Sequence, residues 1–111
     1  MAETGAEPDR YAEPSLLILV SLSEGPKHGY AIMEDAEALG GRPLGAGTLY
    51  AALARMERLQ LIEPLPPDGS RRRPYRLTGA GAAALRTQLQ SLRRLAETGL
   101  GRLDGVPGGA A

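Results

Sequence analysis

Apolar residues recur at helical spacing in four segments of the chain, and two shorter strand-like runs lie between the third and the fourth. Residues 16–22 are almost wholly apolar, and Pro14 before them suits the first turn of a helix. The Gly25-Pro26 pair ends this first helix. Because the helix is short and apolar on every side, we expect it to be the buried spine of the domain.

The next two segments predict a helix-turn-helix unit. A second helix is predicted from about Gly29 to about Leu39, where Gly40-Gly41 ends it, and a third from about Ala46 to about Gln60. The connection is short and contains Pro43, so the third helix must turn sharply away from the second. The acidic residues of the second helix, expected to face water, are Glu34, Asp35 and Glu37. The apolar stripe of the third helix consists of Leu49, Ala52, Leu53, Met56 and Leu59.

Two short strands follow the third helix. They are predicted at residues 61–65 and 74–78, joined by a turn at residues 66–70 with the sequence Pro-Pro-Asp-Gly-Ser. Since a two-stranded hairpin is weak in isolation, we expect it to pack against the helices.

A long final helix is predicted over residues 79–103, with Thr78 as its N-cap. Its small and apolar residues recur in alternating steps of three and four and form a heptad-like seam. A helix of about 25 residues is about 37 Å long and exceeds the width of so small a core, so most of it needs a partner. We therefore predict a homodimer, against the alternative that the helix packs only on its own domain. The residues predicted at the dimer contact are Leu85, Leu89, Leu92, Ala96 and Leu103.

These elements define a mainly α fold with a small β-hairpin. The helix-turn-helix unit and the hairpin occupy residues 13–78, and the dimerisation helix occupies residues 79–103. Residues 1–12 are polar and acidic and are predicted to form a flexible extension, and residues 104–111 a disordered tail. A chain of 111 residues supports one domain.

The composition excludes several classes of function. The absence of cysteine excludes disulfides, thiolate metal sites and a cysteine nucleophile, and the single histidine, His28, has no neighbouring group that would orient it as a catalyst. A capping or exposed role is favoured for it. The longest apolar run is too short to span a membrane, and no basic segment precedes it. We expect a cytoplasmic protein that is not an enzyme and holds no metal or cofactor.

The distribution of charge matters more than its sum. The net charge is zero, which by itself argues against nucleic acid as a partner. However, residues 1–41 carry eight acidic and two basic side chains, whereas residues 42–76 carry seven basic and three acidic ones. The local potential decides where a polyanion binds, so the positive segment is the candidate for a nucleic-acid contact.

The polar face of the third helix is suited to close approach. Small residues form its centre, which lets the helix backbone come near base edges, and arginines further along can reach phosphate or guanine. An ordinary solvated face explains the same pattern equally well. The residues of this face are Gly47, Thr48, Ala51, Ala54, Arg55 and Arg58, with Tyr50 at the margin.

Three successive arginines follow the predicted turn, namely Arg71, Arg72 and Arg73. A charge run of this kind is more often a solubilising loop than a binding site. Its position directly after an amphipathic helix favours binding, because a helix and a basic hairpin together can fill a DNA groove and straddle the neighbouring backbone.

Three motifs stand out along the chain. They are HGYAI at residues 28–32, GTLYAALARMERLQLI at residues 47–62 and RRRPYRLTGAG at residues 71–81. Together they resemble the PadR-like family of winged helix-turn-helix transcriptional regulators, in its short form with a single C-terminal helix. The resemblance covers residues 14–103. It implies a dimeric repressor that binds double-stranded DNA. A small-molecule effector is expected to release the repressor from that DNA.

In that family the third helix enters the major groove, and the hairpin, called the wing, touches the DNA backbone or the minor groove. The resemblance therefore implies contacts from the third helix and the wing, and backbone contacts near the start of the second helix. With the small residues of the polar face, the predicted DNA contacts are Lys27, Tyr30, Gly47, Thr48, Tyr50, Ala51, Arg55, Arg71, Arg72 and Arg73.

The chain departs from the family pattern at three points. The family commonly has a serine near position 45 and a proline near position 51, where this chain has Gly45 and Ala51. Glycine is an acceptable N-cap and alanine is a good helix former, so the fold is compatible with both while the base preference can differ. Some relatives bind aromatic drugs between tryptophans, and this chain has neither Trp nor Phe.

Two functional interpretations stay open. One is the dimeric repressor. The other is a winged-helix protein-interaction module without DNA binding, which the acidic N-terminal third and the zero net charge favour. Any small apolar effector is expected in the dimer cleft between the first and final helices, lined by Leu, Val and Ala with few polar anchors.

Overall fold

The computed structural model describes residues 13–40, 43–69 and 72–108. It contains, in chain order, α1 (Pro14–Leu22), α2 (Gly29–Gly40), α3 (Ala46–Arg58), β1 (Ile62–Pro64), β2 (Tyr75–Leu77) and α4 (Gly79–Asp104). The predicted mainly α fold with one hairpin and a long final helix is confirmed. The extension predicted at residues 1–12, residues 109–111 of the predicted tail, and Arg71 lie outside the described residues. Residues 105–108 of that tail form turns.

The core lies between α1, α2, α3 and the hairpin. Helix α1 is its spine, with Ile18 and Leu22 fully enclosed and even Ser21 buried. Helix α2 contributes Ile32 and Ala36. The predicted stripe of α3 is buried at Leu49, Ala52, Leu53 and Met56. Burial of this one contiguous cluster is the main stabilising contribution in a domain of this size.

Helix α3 ends two residues before its predicted end. Gln60 has a φ of 61°, in the left-handed region. The Leu61 amide donates to the Met56 carbonyl at 2.9 Å and the Gln60 amide to the Glu57 carbonyl at 3.0 Å, which is the Schellman ending of a helix. Leu59, predicted as part of the apolar stripe, is therefore turned away from the core and is 61% exposed.

A third segment, at Lys27, pairs with the hairpin through a short β-bridge. Strands β1 and β2 pair antiparallel with Glu63 opposite Arg76, whose guanidinium donates to the Glu63 carboxylate at 2.7 and 2.9 Å. On the other edge of β2, the amide and carbonyl of Lys27 pair with those of Tyr75 at 3.1 and 2.9 Å. The hairpin is thereby tied to the segment between α1 and α2, which meets the expectation that it packs on the helices.

Helix α4 starts in a tight corner against the end of α3. The Thr78 hydroxyl accepts from the Gly81 amide at 2.9 Å, which confirms the predicted N-cap, and donates to the Gln60 carbonyl at 2.7 Å. Gly81 is buried, and a Cβ on it would overlap the carbonyl oxygen of Leu61 and lie 2.9 Å from the carbonyl carbon. The helix can cross so close to Leu61 only because residue 81 has no side chain.

Beyond this corner α4 leaves the domain. The helix has 26 residues, of which only Gly81 and Leu85 are buried. Leu85 was predicted at the dimer contact, but it is 5% exposed and packs in the core of its own chain, because it lies one turn after the crossing at Gly81. The remaining leucines of the helix, Leu89, Leu92, Leu95, Leu100 and Leu103, are exposed. Across the described ranges, no helix combines the length and apolar character needed to cross a membrane.

Replacing Gly81 with alanine is expected to lower the free energy of unfolding by about 1–3 kcal/mol, because the new methyl group forces α4 away from Leu61. Urea unfolding followed by circular dichroism, at one fixed protein concentration, measures this.

The matched control is Gly101→Ala in the same helix, where a Cβ meets nothing within 4 Å. Alanine is the better helix former, so this control is expected to be neutral or to stabilise by up to about 1 kcal/mol. Equal effects of the two changes would contradict a constraint at the Gly81 crossing.

Candidate nucleic-acid interface

The outward face of α3 is an exposed ridge of small residues. Gly47, Thr48, Ala51 and Ala54 are exposed, and a Cβ at Gly47 would meet nothing within 4 Å. The opposite face of the helix is buried in the core. The ridge is thus held rigidly from behind, and its own side chains do not obstruct a surface that approaches it.

Two arginines flank the ridge where α3 passes the first turn of α1. Arg55 donates to the hydroxyl of Ser15. A shallow cleft of about 490 Å³ lies here, lined by Glu13, Pro14, Ser15, Thr48, Ala51, Ala52, Arg55 and Arg58. Glu13 precedes α1 without capping it through its side chain, so the helix N-terminus presents amide hydrogens. Two guanidinium groups beside a helix N-terminus are groups that can attract a phosphate, although the Glu13 carboxylate lies nearby.

Tyr50 is placed against the start of α2. A Cβ on Gly29 would overlap the Tyr50 hydroxyl and lie 3.0 Å from Cζ of the ring. Gly29 is buried while Tyr50 keeps half of its surface exposed. The glycine of the HGYAI motif therefore lets the α3 tyrosine pack on α2, and the same ring faces outward beside the ridge. Tyr30, on the first turn of α2, is also half exposed.

Lys27 does not have the environment expected of a DNA contact. Its ammonium donates to the Ser21 carbonyl at 2.7 Å, the Ser21 hydroxyl at 3.0 Å and the Asp35 carboxylate at 3.0 Å, and it also pairs with Glu24. The side chain is only 15% exposed. Since its donors are already engaged within the chain, we reassign Lys27 from the DNA interface to the junction of α1 with α2.

Asp35 belongs to the same junction and does not simply face water as predicted. A hydrogen bond from Lys27 is the main reason that the pKa of Asp35 lies below its usual value, with a further hydrogen bond from Ser21. Burial favours the neutral form of Lys27, but the carboxylates of Glu24 and Asp35 outweigh it and raise the pKa of the ammonium. The pair spans eight residues and joins α2 to the segment that precedes it, which helical spacing could not reveal.

The wing presents Arg72 and Arg73, both exposed. Tyr75 at its base packs against the core, and burial, followed by the nearby Glu57, raises the pKa of its hydroxyl. The loop also carries Asp68, whose carboxylate lies 3.0 Å from Nε2 of His28. This contact across 40 residues was not predicted, and no local pattern in the sequence indicates it. Of the three wing arginines predicted to contact DNA, two are thus placed on the surface of the hairpin.

A helix-turn-helix unit whose third helix presents an exposed ridge, followed by a hairpin wing, defines a winged helix-turn-helix protein. Residues 18–87 match the family described as the transcriptional regulator PadR-like family. The chain belongs to that family. Its members are transcriptional regulators rather than enzymes, and within the described ranges no group of three His, Cys, Asp or Glu residues could hold a metal ion.

Individual relatives agree with this assignment. The transcriptional regulator Rv3488 of Mycobacterium tuberculosis is 38% identical over 88 residues, which are 78% of this chain and 81% of that protein. The solved structure of a PadR-like transcriptional regulator from Bacillus cereus superposes with a TM-score of 0.74 at 26% identity, covering 83% of this chain and 92% of the other. An uncharacterized 37.1 kDa protein in transposon TN4556 of Streptomyces fradiae is 45% identical over 86 residues. The match spans 78% of this chain but only 25% of that protein.

Replacing Asp35 with asparagine is expected to lower the free energy of unfolding at pH 7 by about 1–2 kcal/mol, because it removes the charged partner of a largely enclosed lysine. The pKa of Asp35 is lowered in the folded chain, so its contribution is full above the ordinary value of 3.8 and is lost as the pH falls through the folded-state pKa. Urea unfolding at pH 7 and pH 3 measures both effects.

The exposed neighbour Glu34 supplies the control, as Glu34→Gln. We expect this control to change stability by less than about 0.5 kcal/mol at pH 7. An Asp35 variant as stable as the control at pH 7 would show that the junction with Lys27 is not a stabilising contact.

Proposed function

We propose that this protein is a homodimeric repressor that binds a specific double-stranded DNA sequence. The observation that carries the proposal is the exposed ridge of Gly47, Thr48 and Ala51 on α3, flanked by Arg55 and Arg58. Membership of a family of transcriptional regulators supports it. The interpretation as a protein-interaction module without DNA binding is not favoured by that membership.

The ridge and the flanking groups suit different parts of the DNA. Small side chains let the backbone of α3 approach base edges in the major groove, where the hydroxyls of Thr48 and Tyr50 can read hydrogen-bonding groups. Arg55 donates to Ser15 beside the N-terminus of α1, and in this proposal its remaining donors would contact a phosphate oxygen at the edge of the groove. Arg72 and Arg73 on the wing, with Arg71 adjacent in the sequence, would contact the neighbouring backbone. We keep Tyr30 as a candidate backbone contact and leave Lys27 out.

The exposed leucines of α4 support the homodimer. Leu89, Leu92 and Leu103 recur on one side of a helix that extends beyond its domain, and Ala96 lies between them. An apolar stripe of this length on a soluble surface marks an interaction site. We propose that two copies of α4 pack through these four residues and so hold two copies of α3 at a fixed separation.

We also propose that an effector binds the groove between α1, β2 and α4 and releases the DNA. The groove has a volume of about 480 Å³ and is lined by Val20, Ser23, Leu77, Ala82, Leu85, Arg86, Leu89, Gln90 and Arg93. The lining is apolar in part, as expected, but it also contains two arginines and a glutamine, which corrects the expectation of few polar anchors. A groove that combines apolar side chains with two guanidinium groups fits an amphipathic anion better than a wholly apolar molecule.

The double change Arg55→Ala with Arg58→Ala is expected to weaken binding to DNA from immediately upstream of the protein's own gene by at least tenfold. The slope of log affinity against log salt should become shallower by about two, since two phosphate contacts are lost. Fluorescence anisotropy at several salt concentrations measures both quantities.

Repeating the titration of the parent protein with benzoate and with benzamide tests the effector proposal. The proposal requires release of the DNA by the carboxylate and not by the neutral amide.

The control for the arginine pair is Arg102→Ala, an exposed arginine near the far end of α4. It should leave affinity and slope unchanged. Equal losses in both variants would mean that general charge, rather than the α3 face, attracts the DNA. A protein that retains no upstream DNA at any salt concentration would contradict the repressor proposal itself.

Replacing Leu92 with glutamate is expected to convert the dimer to a monomer at micromolar concentration, because it places a charge in the proposed seam. Ser91→Glu, an exposed neighbour off the seam, is the control and should stay dimeric. Sedimentation equilibrium measures the mass of both. A dimer that survives Leu92→Glu unchanged would place the subunit contact elsewhere.

A further inference from the structure

One side-chain contact connects the helix-turn-helix unit to the loop of the wing. Nε2 of His28 lies 3.0 Å from Oδ2 of Asp68. His28 immediately precedes α2, and its carbonyl accepts the first helical hydrogen bond from Ile32 at 3.0 Å. Asp68 lies in the loop between β1 and β2. The contact therefore joins the start of α2 to the hairpin loop that precedes Arg72 and Arg73.

Only one of the two ring nitrogens of His28, Nε2, has a hydrogen-bond partner among the described residues. Its Nδ1 is buried and has no hydrogen-bond partner in the part of the chain that the structure describes. The His28 side chain as a whole is 30% exposed. A buried lone pair without a donor is tolerated more readily than a buried N–H without an acceptor, so the arrangement favours the proton on Nε2. In that tautomer Nε2–H donates to the Asp68 carboxylate.

The hairpin strands alone leave the loop weakly held. Each strand has three residues, and the outermost ladder bond runs from the Leu65 amide to the Pro74 carbonyl at 2.8 Å. Asp68 lies three residues beyond Leu65. At the base of the wing, the backbones of Lys27 and Tyr75 form two hydrogen bonds, one in each direction. His28 is the next residue, so adjacent residues of one segment hold the base of the wing and its loop.

The charge of Asp68 makes its position informative. A carboxylate in a loop that approaches DNA phosphates would repel them. Held against His28, the carboxylate points toward the start of α2. A loop already ordered by this contact also loses less conformational freedom when it binds, which favours affinity.

We infer that His28 is a positioning residue for the wing, which it holds through Asp68 so that Arg72 and Arg73 face the same DNA as α3. This inference rests on the proposed function for its DNA readout. Neither His28 nor Asp68 contacts DNA in this proposal. The two residues act together by fixing the position of the loop.

DNA affinity of the full-length dimer tests the pair in a double-mutant cycle. His28→Ala and Asp68→Ala are each expected to weaken binding by roughly three- to tenfold, and the double variant should be no weaker than either one. His28→Gln, whose amide nitrogen can stand in for Nε2, and Asp68→Asn, which keeps an acceptor, should bind within about twofold of the parent. Tighter binding by Asp68→Ala, or losses that multiply in the double variant, would overturn the inference.

A second readout needs no DNA and separates failure of this inference from failure of the proposed function. Trypsin cleavage after Arg72 should be faster in His28→Ala and Asp68→Ala than in the parent, while His28→Gln should match the parent. Urea unfolding at the same protein concentration checks that none of the variants has lost its global fold. Unchanged cleavage rates in both alanine variants would overturn the positioning role, whether or not the protein binds DNA.

Discussion

The close crossing of α4 over Leu61 is the constraint on which the rest of the structure depends. Gly81 permits the crossing, and Thr78 fixes it by capping α4 while donating to the Gln60 carbonyl. Gln60 is also the left-handed residue that ends α3, and Ile62 two residues later begins β1. The end of α3, the base of the wing and the start of α4 therefore lie next to one another. In a dimer held through α4, this arrangement would transmit the position of one α3 to the other.

The zero net charge is compatible with a basic face because acidic side chains are used inside the protomer. Asp35 and Glu24 engage Lys27, and Glu63 engages Arg76. Asp68 is held toward His28 in the same way. Arg55 and Arg58 of α3, and Arg72 and Arg73 of the wing, meanwhile lie on the surface. The local potential at the surface therefore depends on which carboxylates are paired within the protomer. It depends less on the net charge of the chain.

The sequence predicted the helices, the hairpin and the buried stripe of α3 because periodicity reports which face of an element is buried. The predicted end of α3 was two residues too late, because Leu59 fits the apolar stripe. Glutamine is also not a residue type that indicates a left-handed conformation, which Gln60 adopts. The sequence placed Leu85 at the dimer contact because a seam pattern does not show where a helix leaves its own core. It assigned Lys27 to the DNA interface and did not reveal the side-chain contact of His28 for another reason. Their partners, Asp35 and Asp68, are brought to them by tertiary packing that no local spacing encodes.

We propose that two copies of α3 enter adjacent major grooves on one side of the DNA. Methylation interference at guanine N7, an atom exposed in the major groove, tests it most directly on DNA from upstream of the protein's own gene. We expect two clusters of interfering guanines separated by one helical turn, roughly 10 base pairs. Interference at a single cluster, or binding that methylation in the major groove does not affect, would contradict it.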